Sequence, residues 1–287
     1  MRKKRLEKFQ MMGYQNARWK RAFKSTKTRI GFAIAAIFIF CAVFAPILAP
    51  HDPLSVDITV KLQGPSLTYP LGTDQLGRCI LSRLLWGSRY SLSYTFCVLV
   101  ITILIGVPIG LFSGYVGGKT DTIIIRIIDI FMAMPAFIVA LAIAGTRGAS
   151  GENLVLAMSI AFWAEYARVS RALTLQVKEQ NYILALKAGG CNNLQIIFKH
   201  VLRNIAPSII SLATIEVGGV ILAIAGFSFI GLGVQAPTPE WGIMLSESKS
   251  YIQTYPRLMF IPGIVVMIVV FAFNLLGEGI QNGMSAE

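Results

Sequence analysis

Charge is scarce in this sequence. Of 287 residues only 14% are charged, against roughly 25% in an ordinary soluble domain. Histidine is scarcer still, with only His51 and His200, and the cysteines are scattered as Cys41, Cys79, Cys97 and Cys191. No cysteine pair has metal-ligand spacing, so neither a zinc site nor a disulfide framework is expected. No segment makes a phosphate-binding loop. Gly118-Lys119-Thr120 comes nearest, but the required earlier glycine is replaced by Ser113, with Gly114 one place off. The chain is therefore expected to carry no ATP site of its own. Nor do its apolar segments show the paired acids, Ser/His set or metal ligands that an intramembrane enzyme would need.

Long uncharged runs take the place of charge. They extend from Ile30 to Pro50, Tyr90 to Gly118, Ile130 to Thr146, Asn204 to Ile215, Val217 to Pro239 and Leu258 to Gly277, within a composition that is 55% apolar. A helix needs about 20 such residues to cross a ~30 Å hydrocarbon layer, where every backbone polar group must be bonded internally. Asn153 to Ala164, between Glu152 and Glu165, is a shorter candidate that continues through Tyr166. The expected fold is all-α and integral to the membrane, with about six transmembrane helices.

The first 29 residues carry 11 Lys/Arg and one acid, Glu7, ahead of an apolar run too long and too late for a cleaved signal. This arm is expected in the cytoplasm, lying on anionic lipid. It holds nearly all of the net charge of +12 and lacks the interleaved base-reading side chains of a nucleic-acid binder. Six spans from an inner N-terminus place residues ~50–89, ~147–153 and ~234–257 outside. Residues ~113–121, ~166–204 and the tail from Glu278 then lie inside. Arg168, Arg171, Lys178, Lys187, Lys199 and Arg203, against the single acid Glu179, support that orientation independently. His51 and His200 consequently fall on opposite sides. The expected organisation is a basic arm (1–29), a first span (30–50), an external loop (51–89), a five-helix core (90–280) with a cytoplasmic segment (172–204), and a cytoplasmic tail (281–287).

Ionisable residues within spans point to function or to pairing. Arg126 with Asp129, and Glu165 with Arg168, lie three apart, so each pair is expected to neutralise itself along one helix. Glu216 has no such neighbour, and could face another helix, another subunit or a water-filled path. Gly106, Gly110 and Gly114 form a stripe that suits close helix packing, with the partner helix unreadable. Pro108, Pro135 and Pro262 are expected to bend their spans.

The most informative segment is cytoplasmic, from Tyr182 to Pro207. It reads as a helix broken at Gly189-Gly190 and restarted by Asn192, which with Gln195 suggests a capping box. Leu194, Ile197, Phe198, Val201 and Leu202 follow at helical spacing. Periodicity alone allows either a rigid knob at the membrane face or a helix lying on lipid.

Leu184-Ala185-Leu186, then Gly190, then Val201-Leu202-Arg203 resembles the cytoplasmic signature of permease subunits of ABC importers. Ala185 and Gly190 match it, whereas the leading Glu, the second Ala and the downstream Pro are replaced. Tyr69 to Arg78 with Leu81-Ser82-Arg83 resembles the external loop of the dipeptide/oligopeptide/nickel branch, the C-type permease, with Cys79 where Asp is common. Gly114 to Gly118 with Asp121, Arg126 to Asp129 with Pro135, and Gly231 to Gly242 resemble the same branch, in family order over residues 30–280.

That resemblance implies a type I importer permease that works with a second, homologous but distinct permease subunit, two cytoplasmic ATPases and an external substrate-binding protein. It implies ATP and Mg on the ATPases, no cofactor on this chain, and a bacterial plasma membrane with both termini cytoplasmic. The implied ATPase-coupling residues are Leu184, Ala185, Leu186, Lys187, Gly190, Asn192 and Asn193. Asp74, Arg78, Arg83, Glu240 and Trp241 would receive the binding protein, or else belong to short helices sealing the outer face. Glu216 is the pathway candidate. Peptide is the expected solute, with nickel or a metallophore-bound metal as the alternative. A secondary transporter is the alternative of another class, but no convincing internal repeat supports it.

Overall fold

The computed structural model describes residues 22–285; most of the basic arm and the last two residues of the tail lie outside them. Nine helices carry the described chain, because segments this apolar satisfy their backbone only within themselves. They are α1 (Thr26–Leu48), α2 (Ile80–Val116), α3 (Gly118–Ala133), α4 (Ala136–Arg147) and α5 (Gly151–Lys178). The short α6 (Asn181–Ala188) precedes α7 (Asn193–Phe229), α8 (Trp241–Glu247) and α9 (Arg257–Ser285). Among the described residues the β-type pairing is an isolated Thr73–Cys79 bridge in the loop after α1.

Four helices, α1, α2, α7 and α9, are long and apolar enough to cross a membrane. Two further segments depart from the expected form. The run Ile130 to Thr146 is not one straight span: α3 and α4 meet at Met134-Pro135 with a bend of 82°. Proline lacks the N–H that would continue the helix and biases the residue before it away from α geometry. α5 has 28 residues, enough for about 40 Å at 1.5 Å each, but its charges dilute its hydropathy. It can be polar because it sits inside the bundle, with Leu154, Ala157, Met158, Ala161, Ala164 and Ala167 buried. α2 starts ten residues before its uncharged run, so residues 80–89 are helical rather than part of a loop.

The glycine stripe of α2 packs on α5. A Cβ at Gly106 would lie 2.5 Å from the Trp163 carbonyl oxygen, and one at Gly114 would lie 2.8 Å from that of Arg171. Between them Gly110 faces the Ala167 carbonyl and Ser170. The Ser170 hydroxyl donates 3.0 Å to the Val107 carbonyl, closing the contact with a polar bond. On the other flank α9 lies between α1 and α7: Gly31 meets the backbone of α9 at Ala272 and Leu276, Gly277 meets Ile215, and Gly279 meets Thr28. Lys27 and Glu278 pair at 3.0 Å, so the start of α1 and the end of α9 lie at the same end of the bundle as α6. The loop 49–79 and α8 occupy the opposite end.

A methyl group at Gly110 has no room without separating α2 from α5. Gly110→Ala is expected to lower the thermal midpoint of the detergent-solubilised chain, with a cost of about 1–3 kcal/mol for overpacking. Gly226→Ala, whose Cβ would meet nothing within 4 Å, should leave the midpoint unchanged.

Candidate coupling face and transport pathway

At the α6 end, one face of the knob is anchored and the other is open. Ile183 is fully buried, and the Tyr182 hydroxyl accepts a 3.1 Å hydrogen bond from Asn204 of α7. Gly190 adopts φ +77°, in the left-handed region that only glycine enters readily, and turns the chain back toward the bundle. Asn192 then caps α7 by accepting from the Leu194 N–H at 3.2 Å. Asn193 Oδ1 accepts from the Tyr115 hydroxyl at 2.8 Å, while the Lys187 and Lys178 ammonium groups lie 5.0 and 5.7 Å from the centre of the Tyr115 ring. Tyr115, on the last turn of α2, thus ties the knob to the bundle, a contribution that the sequence pattern did not reveal. Leu184 and Ala185 are exposed, as are Gly190 and Asn192, and Leu186 is half-buried.

The second apolar stripe does not lie on lipid as a separate helix. Ile197 and Val201 are buried in the bundle, whereas Leu194 and Phe198 are about 60% exposed. The segment is the first part of α7, entered through a π-helical turn at Ile196–Val201. The knob is therefore continuous with a helix long and apolar enough to cross a membrane.

At the opposite end, the five residues expected to meet a binding protein are buried within the chain. Asp74 accepts from Arg78 Nε at 2.7 Å and from Arg83 Nη1 at 2.6 Å, and both arginines reach Glu247 at 2.8 Å. Both guanidinium groups are almost fully enclosed. Glu240 caps α8, accepting from Ser91 at 2.9 Å and from the Ile243 N–H at 3.1 Å. The Trp241 indole donates to the Leu84 carbonyl at 3.2 Å and meets Phe38 edge-on. These side chains clamp the loop and α8 onto α2. Arg257 adds a second clamp, donating to the Leu62 and Gln63 carbonyls at 2.6 and 2.7 Å.

The in-span charges pair between helices rather than along them. Arg171 of α5 holds Asp121 of α3 with two bonds of 2.6 Å, and Arg168 pairs with Asp129 instead of Glu165. Glu165 is thus left without its expected partner. It lies beside Glu216 of α7, next to the hydroxyl of Tyr166. Helix spacing alone cannot bring residues 165 and 216 together, so this acid pair was not legible in the sequence. Among the described residues no group of three or more His, Cys, Asp or Glu is placed to hold a metal ion.

Two consequences concern the clamp. Asp74→Asn leaves two buried guanidinium groups with one carboxylate between them. A loss of about 3–5 kcal/mol is expected, read as a large fall in thermal midpoint. Burial pushes the Glu240 carboxyl above its ordinary value of 4.5, against the lowering effect of bonds from Gly242, Ser91, Ile243 and Ser228. A carboxyl with a raised folded pKa binds its proton more tightly in the folded state. Its stabilising contribution is present at acid pH and lost as pH rises through the raised value. Glu240→Gln, always neutral, should therefore gain stability relative to wild type as pH is raised from 4.5.

Residues 106–285 match the family model described as the binding-protein-dependent transport system inner membrane component. Residues 15–65 match the N-terminal transmembrane domain of oligopeptide transport permease C. The chain is 38% identical over 273 residues to the dipeptide transport system permease protein DppC of Alkalihalophilus pseudofirmus, covering 94% of this chain and 90% of that one. Identity to the nickel transport system permease protein NikC of Escherichia coli K12 is 35%, covering 88% and 92%. Identity to the metal-staphylopine import system permease protein CntC of Staphylococcus aureus is 38%, covering 91% of each chain. An inward-facing structure of the MetNI methionine ABC transporter shares the fold, with a TM-score of 0.60 at 20% identity over 72% of this chain and 98% of that one. This integral membrane chain, with a sharp bend between α3 and α4, buried clamps and an open knob, belongs to the binding-protein-dependent inner-membrane permeases, as a C-type transport subunit of an ABC importer in which separate subunits hydrolyse ATP.

Proposed function

We propose that this permease imports peptides across a bacterial plasma membrane, driven by two ATPases that seat on the knob of residues 182–203. The observation that carries the reading is the glycine-cornered knob, open on its Leu184–Ala185 face and continuous with α7. Leu184 in place of an acid makes the contact with the ATPase apolar, and Lys187 and Asn193 support the knob from behind through Tyr115. ATP and Mg²⁺ belong to the ATPases. Closure of the ATPase pair would move α7 relative to α5 and switch the bundle between inward- and outward-open states.

In this reading the knob end, where the start of α1 and the end of α9 also lie, faces the cytoplasm. The excess of Lys/Arg around it supports that orientation. The second permease is a homologous, distinct chain covering the α5–α7 face, where Glu165 is exposed about halfway along its helix. An uncovered carboxylate at that depth would face hydrocarbon at a high cost. Glu216 lines the pathway. The binding protein docks on the exposed residues of the clamped outer loop, among them Val56, Ile58 and Leu67, rather than on the clamp itself.

A metal chelate is the second reading, favoured by similarity to the nickel and metal-staphylopine permeases that matches the similarity to the dipeptide permease. Uptake of labelled dipeptide and of chelated nickel by the reconstituted importer separates the two. Proline cannot adopt the positive φ of Gly190. Gly190→Pro is expected to reduce binding-protein-stimulated ATP hydrolysis to its basal rate while leaving membrane insertion intact. Normal stimulation in that variant would remove the coupling assignment.

A further inference from the structure

Arg83 is almost fully enclosed, yet only part of its guanidinium is bonded. Its Nη1 donates to Asp74 at 2.6 Å and lies 2.8 Å from Glu247. Among the described residues neither its Nε nor its Nη2 finds an acceptor. A buried guanidinium N–H without a partner is costly, because it has left water and gained no bond in return. Arg78 is just as enclosed, but its Nε reaches Asp74 and its Nη2 reaches Glu247. Within the clamp the shortfall belongs to Arg83.

An independent feature lies against the same side chain. A cavity of about 10 Å³ sits between Arg83 of α2, Asp74 and Gln75 of the loop, Ser248 just after α8, and Leu258 of α9. A single water needs about 10–15 Å³ of such space, so the cavity has room for one water and none for an organic ion. Charge points the same way. Asp74 and Glu247 already balance Arg78 and Arg83. A further anion would meet Asp74 across the cavity, and a cation would meet Arg83.

The wall therefore suits a neutral group that both accepts and donates. Arg83 supplies the donors. Ser248, also buried, donates its own hydroxyl proton to the Leu245 carbonyl at 2.8 Å, which leaves its oxygen able to accept.

We propose that this cavity is the binding site of one structural water, which accepts from the Arg83 guanidinium and donates to Ser248 Oγ. The water completes the clamp by giving the unbonded edge of Arg83 an acceptor. It also joins α2 to the residue that follows α8, at a point walled by the loop and by α9. Four separate stretches of chain meet there, and the site is the same whichever solute the protein carries.

The direct test is a density map of the full chain in nanodiscs, at a resolution that shows ordered water. One peak is expected within about 3 Å of both Ser248 Oγ and an Arg83 Nε or Nη2. An empty cavity in a map that shows interior water elsewhere would overturn the proposal. So would an Arg83 whose Nε and Nη2 bond directly to protein oxygens.

Thermal midpoints give a check that needs no map. Ser88 is as buried as Ser248 and makes the same bond, to the carbonyl three residues back. It does not line the cavity. Ser88→Ala thus reports the loss of that bond alone, whereas Ser248→Ala also removes an acceptor from the water. The fall in midpoint is expected to be at least twice as large for Ser248→Ala, and equal falls would overturn the site. Replacing chloride by gluconate at constant ionic strength should change neither value. A midpoint that rises with chloride in wild type but not in Ser248→Ala would make the occupant an anion and overturn the water.

Discussion

The bundle depends on the contact between α2 and α5. Gly106, Gly110 and Gly114 let the backbone of α2 reach the carbonyls of Trp163, Ala167 and Arg171, a distance no other side chain permits. In a membrane there is little hydrophobic force between helices, since lipid tails are as apolar as leucine, so close packing and polar contacts must hold them. That contact lets a helix carrying Glu152, Glu165, Arg168, Arg171 and Lys178 sit in the centre of the protein. Two of those charges find partners on α3, and Ser170 finds one on α2. Without the glycine stripe, α5 would lose its closest packing surface.

Around this fixed pair the two ends are built differently. The α8 end is tied down by buried charges: Asp74, Arg78, Arg83 and Glu247 bind loop, α2 and α8 together, and Arg257 holds the loop to α9. The knob itself is held by lighter ties, an aromatic ring under two lysines and two side-chain hydrogen bonds. Cation–π contacts at exposed sites are worth about 0.5–1 kcal/mol each. The bundle thus has a clamped end at α8 and a lightly tethered knob. α7 connects them, with the π-helical turn beside the knob and Glu216 within the membrane. Its partner α5 carries the other acid, so relative movement of these two helices would alter the spacing of the carboxyls.

The local features of the knob were legible because they are short-range. A glycine pair, an asparagine cap and an apolar stripe follow one another in sequence, and Gly190 and Asn192 adopt the backbone that their chemistry favours. Trp241 and the Asp74 cluster stood out as unusual residues, but their role did not follow. A buried clamp and an exposed docking patch use the same residue types, and only burial separates them. The expected Glu165–Arg168 pair failed for a related reason: three-residue spacing permits a pair, but α3 offered Arg168 a better-placed carboxylate in Asp129.

Composition and order along the chain were enough to determine that this protein lives in a membrane, that it is helical, and which family it belongs to. Those properties arise from interactions within a segment, or between a segment and its solvent. Tertiary structure decided the rest: that the glycine stripe meets α5, that the chain turns through 82° between α3 and α4 at Pro135, and that Glu165 meets Glu216 across 51 positions. A contact between distant segments depends on how whole helices settle against one another, and no periodicity within either helix encodes it.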